Sequence, residues 1–584
     1  MSIQEAEVHL RKTGAQIVID ALIQEKVKVL FGYPGGVLIP IFDVLYDTKE
    51  ISFVLTRHEQ AAAHAADGYA RATGEVGVCM ATSGPGATNL VTGIATAFLD
   101  SIPMVAITGQ VASPLLGTDA FQEADVVGIT RSITKHNFLV KNIEELPTLL
   151  KQSFHIAKTG RPGPVLIDIP VDVCRAHLDN YVYPESVSIR SYRPNVVGHP
   201  RQIQKAADAI GSAKKPLIFA GGGIIHSGAH AELLQLAEKT NIPVTTTLMG
   251  LGGFPGSHPL FIGMPGMHGS KTANFAFQEC DLIISVGARF DDRVTGYVPK
   301  FAPNASIIHI DIDPAAISKI IKVDIPVVGD AKNILTVLVE KVKERAPDAW
   351  NAQIKEWMGD RLFTYTDSAD EIKPQAVISA LYRLTKGDAV IATEVGQHQM
   401  WAAQFYLYDR PRQLLTSGGL GTMGFGMPAA MGAALSRPGK PVIDIAGDGS
   451  IQMNIQELAT IALNRIPVKV IILNNAYLGM VRQWQDLFYD KRYSATCLRG
   501  GTLCDDCVGT DKCKKAYIPD FVKLAEAYSI PAFRATTPDE IEKTLQAGLD
   551  VDGPAIMEFI VAQEENVFPM VPAGRPIDEI LEGS

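Results

Sequence analysis

Pro441-Val-Ile-Asp-Ile-Ala-Gly447-Asp448-Gly449 and, further along, Val468-Lys-Val-Ile-Ile-Leu-Asn474-Asn475 are apolar runs that each stop at a polar turn. Between them Asn454-Ile-Gln-Glu-Leu-Ala-Thr-Ile-Ala-Leu463 carries its apolar residues at helical spacing, so the stretch reads strand, helix, strand. A right-handed crossover makes the two strands parallel neighbours and sets Asp448 and Asn475 at adjacent strand tips. Ligands of open α/β sheets bind at that position. One carboxylate and one amide oxygen, with no Cys or His beside them in sequence, suit Mg²⁺, which shares its octahedron with phosphate oxygens.

Outward from this unit, short β-branched runs alternate with helical patterns along the whole chain, without a short repeat or low-complexity tract. The expected fold class is α/β, with doubly wound parallel sheets. Two stretches read as junctions. Tyr181 to Arg201 is rich in Pro, Ser and Tyr, and Ala346 to Glu371 is charged with weak apolar periodicity. The expected domains are then residues 1–180, 195–345 and 370–584, each of ordinary domain size.

The 584 residues carry a net charge of −10, which argues against a nucleic-acid partner. Hydrophobic residues at 47% and charged residues at 20% describe a soluble globular chain, and no apolar stretch reaches the length of a membrane span. Met1-Ser-Ile-Gln-Glu-Ala-Glu7 has neither the basic start nor the apolar core of a signal peptide, so the expected location is cytoplasmic, with no membrane partner. Seven cysteines in a chain this long do not form a disulfide framework. Cys79, Cys174 and Cys280 are isolated and read as buried thiols, whereas Cys497, Cys504, Cys507 and Cys513 cluster.

In the N-terminal part, Ser52-Phe-Val-Leu-Thr56 reads as a strand, followed by Arg57-His58-Glu59 and a helix of small residues from Gln60 to Ala70. By itself Glu59 reads as an acid at a helix start, favoured by the macrodipole. His58 and His64 miss the spacing of a zinc protease motif. The alanines imply close packing against a partner helix. Ser83-Gly-Pro-Gly86, after Val78-Cys-Met-Ala81, is a strand-to-turn element that brings backbone near a ligand or is only a turn.

The segment from Gly447-Asp448-Gly449-Ser450 to Asn475 resembles the diphosphate-anchoring motif of thiamine-diphosphate enzymes, whose chemistry makes and breaks bonds next to a carbonyl. Further stretches sharpen that resemblance. They are Arg57-His-Glu-Gln60, Asp67-Gly-Tyr-Ala-Arg-Ala-Thr-Gly74, Thr82-Ser-Gly-Pro-Gly-Ala-Thr-Asn89, Gly117-Thr-Asp-Ala-Phe-Gln-Glu123, Arg161-Pro-Gly-Pro164, Gly287-Ala-Arg-Phe-Asp-Asp-Arg-Val-Thr-Gly296, Ser417-Gly-Gly-Leu-Gly-Thr-Met-Gly-Phe-Gly426 and Gly479-Met-Val-Arg-Gln-Trp484. Together, and in this order over nearly the whole chain, they closely resemble acetohydroxyacid synthases (acetolactate synthases), catalytic rather than regulatory subunit.

The resemblance implies three α/β domains serving the pyrimidine, FAD and diphosphate, and it assigns roles residue by residue. Glu59 would hydrogen-bond the aminopyrimidine ring of thiamine diphosphate, a task that needs a carboxyl in a shielded cleft. Met423 resembles the apolar wedge that bends the cofactor, with the Gly421 carbonyl meeting its exocyclic amine; otherwise such a Met is core filler. Asp448, Asn475 and the Tyr477 carbonyl would hold Mg²⁺. Val395-Gly396-Gln397-His398 resembles the start of the cofactor-binding stretch that ends near Tyr477. Glu59 and Asp448 serving one cofactor would come from different subunits, which implies a homodimer or homotetramer, and a small ACT-domain regulatory subunit is the implied partner.

Leu217-Ile-Phe-Ala-Gly-Gly-Gly-Ile224 is a strand running into a glycine turn, without the GxGxxG spacing of a dinucleotide fold, so by itself it reads as a structural turn. The resemblance maps FAD contacts to Arg161, to Gly221 and Gly222, to Met264, Gly266 and His268, to Gly287, Arg289, Asp291 and Arg293, and to Asp311, Ile312 and Asp330. It implies a flavin that is not turned over in the main reaction. Arg289 would meet the carboxylate of a 2-oxo acid, unless it is a surface ion pair. Trp484 would narrow the acceptor pocket in favour of 2-oxobutyrate over a second pyruvate, with Met480 one turn before it. Phe121 and Gln122 would line the site across a subunit interface. The implied activity is decarboxylation of pyruvate and ligation of the hydroxyethyl group to a second 2-oxo acid, towards valine, leucine and isoleucine. A flavin-dependent pyruvate oxidase and a non-catalytic scaffold are the rival readings, the latter disfavoured by Glu59, Asp448 and Asn475 standing together.

One stretch departs from the resemblance. Cys497 to Cys513 interrupts a region where many members run directly from Tyr493-Ser to Pro519-Asp-Phe. Its C-x₆-C-x₂-C-x₅-C spacing permits a thiolate zinc site or an iron–sulfur cluster, or a solvated loop of free thiols. Near Trp484, it is a candidate for stiffening or redox-gating the active-site cover.

Overall fold

The computed structural model describes residues 11–498 and 519–583, and among them the chain builds three parallel sheets flanked by helices. The first holds β1 Val29–Tyr33, β2 Ser52–Leu55, β3 Gly77–Ala81, β4 Met104–Gln110, β5 His136–Leu139 and β6 Pro164–Pro170, in the order β2-β1-β3-β4-β6-β5. The second holds β7 Pro216–Ala220, β8 Val244–Thr246, β9 Leu282–Val286, β10 Ser306–Asp311 and β11 Ile325–Val328, in the order β8-β7-β9-β10-β11. The third holds β12 Val390–Thr393, β13 Leu414–Leu415, β14 Val442–Gly447, β15 Val468–Asn474, β16 Ala532–Ala535 and β17 Ala555–Ile560, in the order β13-β12-β14-β15-β17-β16. The first and third sheets therefore share one strand order. In each sheet the order reverses between its first and third strands, opening a crevice beyond their carboxyl ends.

Central strands such as β3, β4, β6 and β15 are buried on both faces, the reason they read as continuous apolar runs rather than alternating ones. Helix α1 Glu59–Thr73 begins where His58 accepts the Gln60 amide and ends at Gly74 in the left-handed region. Its alanines are buried, and a Cβ on Gly93 would overlap that of Ala63, so two helices meet here at near-backbone distance.

The chain divides into two compact units. One is residues 1–193 with 431–438 and 456–464, and the other is residues 194–430 with 439–455 and 465–584. Within the second unit a single apolar core runs through both of its sheets, from Ile218, Ile284 and Phe254 to Tyr406, Tyr408 and Ile443. Backbone joins them too, Gly256 N donating to Tyr408 O at 2.9 Å. The charged stretch from 346 to 371 contains a helix, Ala349–Met358, opened by an Asp348 capping box. It buries Trp350 and Ile354, and the Trp350 indole donates to Pro216 O at 3.0 Å. Two anchors one turn apart make a faint sequence period, so the helix is hard to see without coordinates. Among the described residues, no helix is long and apolar enough to cross a membrane.

Candidate active site

Strands β14 and β15 are parallel neighbours in register Gly447 to Leu473, so Asp448 and Asn475 do emerge at adjacent tips. The connection between them differs in detail from a single helix. A 3₁₀ segment, Ile451–Glu457, breaks at Asn454 before the helix Leu458–Leu463, because the Asn454 amide turns to donate to Gly424 O at 2.7 Å. Asp448 is buried, and its Oδ2 has no hydrogen-bond partner. Burial pushes its carboxyl up to about 7, against opposing backbone N–H groups of Ala476, Asp448 and Gly449. Asn475 is held by Gln397, whose Oε1 accepts its amide at 3.2 Å, while Tyr477 N donates to Asn475 Oδ1 at 3.0 Å. The buried His398 imidazole has an unbonded Nε2 and is driven down to about 3 by burial, so it is neutral. A Cβ on Gly447 would stand 2.9 Å from His398 Nδ1, which keeps the turn bare. Val395 to His398 follow β12, and Gly447 ends β14 with Asp448 to Ser450 following, on either side of the sheet's crevice. Hard oxygens with an unsatisfied carboxylate fit a divalent cation such as Mg²⁺, and small residues beside an orphaned imidazole fit a diphosphate. Among the described residues there is no group of three or more His, Cys, Asp or Glu that could hold a metal ion.

The Ser417–Gly426 turn ends at helix α2 Gly426–Ser436. Gly421 lies at its exposed tip with φ +73 and Met423 is half-buried below it. Thr422 N donates to Ser417 Oγ at 3.0 Å, bracing the turn from within.

In the first unit, Glu59 opens α1 and is nearly buried. Asn89 Nδ2 donates to its Oε2 at 2.9 Å, and a Cβ on Gly86 would lie 3.3 Å from its Oε1. The turn after β3 thus brings Thr82 to Asn89 against Glu59, joining two stretches 30 residues apart. Phe121 is 88% exposed, Gln122 has φ +59, and Gly84 packs on Gln122. Glu123 accepts backbone N–H groups of Gly117 and Ala120, which lowers its carboxyl below the usual range and pins this loop. Arg161 Nε donates to Ser101 Oγ at 2.8 Å.

In the central sheet, Gly221 after β7 and Gly287 after β9 flank the strand-order reversal, with Asp311 closing β10 and Asp330 following β11. A Cβ on Gly221 would strike the Gly287 carbonyl and one on Gly287 the Gly223 backbone, so backbone packing alone requires glycine at both. Gly222 has room for a side chain, Ile312 is half-buried, and Asp330 caps Ala331–Lys341. Met264 is buried, Gly266 N donates to Asn274 Oδ1 at 2.7 Å, and Gly266 packs on the Arg293 carbonyl. His268 is buried with Nδ1 unbonded and is lowered to about 4 by burial. Ser285 Oγ and Thr246 Oγ1, near the same strand ends, are also buried without partners, so this edge fits a large polar cofactor.

Arg289, 43% exposed at its side chain, faces Asp291 Oδ2 at 3.8 Å, and Asp291 caps the helical turn from Asp292. Helix α3 Gly479–Phe488 carries Met480 and Trp484. Trp484 is half-buried edge-on to Phe488 at 6.0 Å, and the Arg293 guanidinium lies 6.0 Å from its ring. The second unit therefore brings Trp484 and Arg293 together, whereas Glu59, Phe121, Gln122 and Arg161 belong to the first.

Comparison with known proteins fits this arrangement. Residues 12–129 match the thiamine pyrophosphate enzyme N-terminal TPP binding domain, 203–338 the central domain and 394–559 the C-terminal TPP binding domain. The chain is 48% identical over 579 residues to the acetolactate synthase isozyme 3 large subunit of Escherichia coli, covering 97% of this chain and 98% of that one. The chain belongs to the acetolactate synthase large-subunit family. It is also 51% identical over 580 residues to the acetolactate synthase large subunit of Corynebacterium glutamicum (98% of this chain, 90% of the relative), and 50% identical over 576 to the acetolactate synthase of Mycobacterium bovis (97% and 91%).

Beyond the motifs of an acetolactate synthase, the structure holds buried polar groups that sequence reading missed. Glu394 and Asp444 are both buried beneath the Ser417–Gly426 turn, and the signal for Asp444 was a charge inside the apolar run Val442–Ile445. Arg482 is stacked between Tyr477 and Tyr493, 4.1 and 3.6 Å from their ring centres, and binds Glu564 at 2.9 Å. Cys79, Cys174 and Cys280 are buried thiols, raised by burial. Cys497 forms an antiparallel bridge with Tyr477, and Cys504, Cys507 and Cys513 lie outside the described residues.

Proposed function

We propose that the chain is the catalytic subunit of an acetolactate synthase, converting pyruvate and a second pyruvate or 2-oxobutyrate into acetohydroxy acids on the route to valine, leucine and isoleucine. The observation that carries this reading is the buried Asp448 carboxylate with its unbonded Oδ2, in a stretch that matches a thiamine pyrophosphate binding domain. A carboxyl so placed is satisfied by its own proton or by a cation, and the Asn475 amide at the adjacent strand tip favours the cation. Asp448, Asn475 and the Tyr477 carbonyl hold Mg²⁺ in this reading, while Gly447, Gly449, Ser450 and His398 border the diphosphate, with Val395, Gly396 and Gln397 behind them. Thiamine diphosphate, when bound, supplies the carbon nucleophile and the electron sink that decarboxylation of a 2-oxo acid needs.

The protein's own groups do the rest. Asn89 occupies Glu59 Oε2, which leaves Oε1 to share a proton with a ring nitrogen of the cofactor. At the exposed Gly421 the carbonyl would accept the cofactor's amine, and the half-buried Met423 side chain would prop the cofactor. Arg289 presents a planar fork to the substrate carboxylate, with Asp291 orienting it. Trp484, braced by Phe488, with Met480 one turn earlier, narrows the acceptor pocket and excludes water. Phe121, an apolar ring open to solvent in the single chain, and Gln122 join a site made with a second subunit, in a homodimer or homotetramer. FAD would be held by residues at the central strand ends and would not be turned over in the main reaction. The large-subunit relatives support a small regulatory partner, here of ACT-domain type, and the proposed location of the enzyme is the cytoplasm.

A product assay on the purified protein with pyruvate, Mg²⁺, thiamine diphosphate and FAD tests this reading, with dissolved oxygen followed in parallel. Acetolactate, detected as acetoin after acid decarboxylation, with little oxygen uptake is the expected result. Stoichiometric oxygen consumption without acetolactate would make the chain an oxidase and deprive Arg289 and Trp484 of their roles.

A further inference from the structure

Beneath the Ser417–Gly426 turn lie two carboxyl groups that the proposed chemistry leaves unused. Asp444 sits midway along β14 and pairs with Ala392 of β12. Side chains two residues apart on a strand share a face, so Glu394, just past the end of β12, points to the same side as Asp444. Both are buried, at 1% and 0% exposure. Their surroundings differ sharply. Glu394 Oε2 accepts the Gly424 N–H at 2.5 Å and Oε1 the Met427 N–H at 3.2 Å, and the Phe425 and Gly426 amides also bond this carboxylate. These amides open the eleven-residue helix α2, where the dipole favours an anion. Asp444 has neither oxygen bonded, although a Cβ on Gly426 would strike its Oδ1. The other titratable group at hand is the neutral His398 imidazole, which bonds the Glu394 backbone.

Two carboxyls buried side by side do not both ionise. We propose that Asp444 keeps its proton and Glu394 its charge, and that Glu394 is a positioning residue: by gathering the Gly424–Met427 amides it fixes the turn that presents the Gly421 carbonyl and Met423 to the cofactor. Asn454 braces the same turn through the Gly424 carbonyl. The inference rests on the cofactor reading of residues 417–426. Burial raises both groups, Glu394 to about 7 and Asp444 well above the usual carboxylate range, the order this division requires.

The test is a thiamine diphosphate titration of the full-length protein, stripped of cofactor and returned to saturating Mg²⁺, read by intrinsic fluorescence. No binding by the unaltered chain would sink the cofactor reading and this inference together. Given that binding, Asp444→Asn, which mimics a protonated acid, is expected to stay within about twofold of the parent. Glu394→Gln sets an NH₂ group against amide donors and is expected to bind about 10- to 100-fold more weakly, with Glu394→Asp recovering part of the loss. Parent affinity in Glu394→Gln, or a loss in Asp444→Asn as large as that, overturns the inference alone. If Glu394→Gln does not fold, Asp444→Asn decides: tight binding supports the division of charge and weak binding refutes it.

Discussion

Asp448 and Asn475 were legible as residues because each ends a strand, and a strand end followed by a polar turn is a local signal. Glu394 and Asp444 were not, since each draws its meaning from amides or acids distant in sequence. Asp168 is a further case. It lies buried in β6, bonded by Thr108 Oγ1 at 2.7 Å and Gln110 Nε2 at 2.9 Å, and burial raises it to about 7. Gln110 also donates to the Ala124 carbonyl, tying the acid to the loop that carries Phe121 and Gln122. The native state holds this proton more tightly than the unfolded chain, whose carboxyl titrates near 3.8. Between those two values the unfolded chain ionises first, so the group removes stability as pH rises and the loss is complete above about 7. Asp168→Asn abolishes that loss. Its Tm should rise relative to the parent between about pH 4 and about pH 7, by about 2–4 °C per kcal/mol in a unit of this size. A Tm difference that stays constant across that range would mean that Asp168 is ionised throughout.

At the scale of elements, apolar runs and helical periods located the strands of the cofactor sites and the alanine helix α1, because burial on both faces leaves an unbroken apolar record. What the alanines touch was not legible. Besides Gly93, Gly432 in α2 meets the Ala65 carbonyl and Tyr69 N of α1, with no space for a Cβ. Gly432→Val should therefore destabilise the first unit by about 1–3 kcal/mol through overpacking. Thermal unfolding checks this, and an unchanged Tm would show that the two helices can separate at no cost. The helix Ala349–Met358 was obscured for the opposite reason, since two buried anchors do not make a period.

At the scale of the molecule, Glu59 belongs to one compact unit and Asp448 to the other. If a working site takes Glu59 from one subunit and Asp448 from its partner, Glu59→Gln and Asp448→Ala variants, each inactive alone, should complement when unfolded and refolded together. Random pairing at equal amounts makes half of the dimers mixed, each with one intact site, so about a quarter of the parent activity should return. No recovery, with mixed dimers demonstrated by differently tagged chains, would mean that each site is built within one chain. By itself the sequence determined the α/β class, the strand tips that carry Asp448 and Asn475, and the family, because strand ends, turns and motifs are contiguous in the chain. Tertiary structure alone decided the shared strand order of the first and third sheets, the union of the central and C-terminal sheets around one core, and the Glu394–Asp444 pair. Those features arise from contacts between segments far apart in sequence, where burial, rather than any local pattern, sets which group is charged and which backbone can approach.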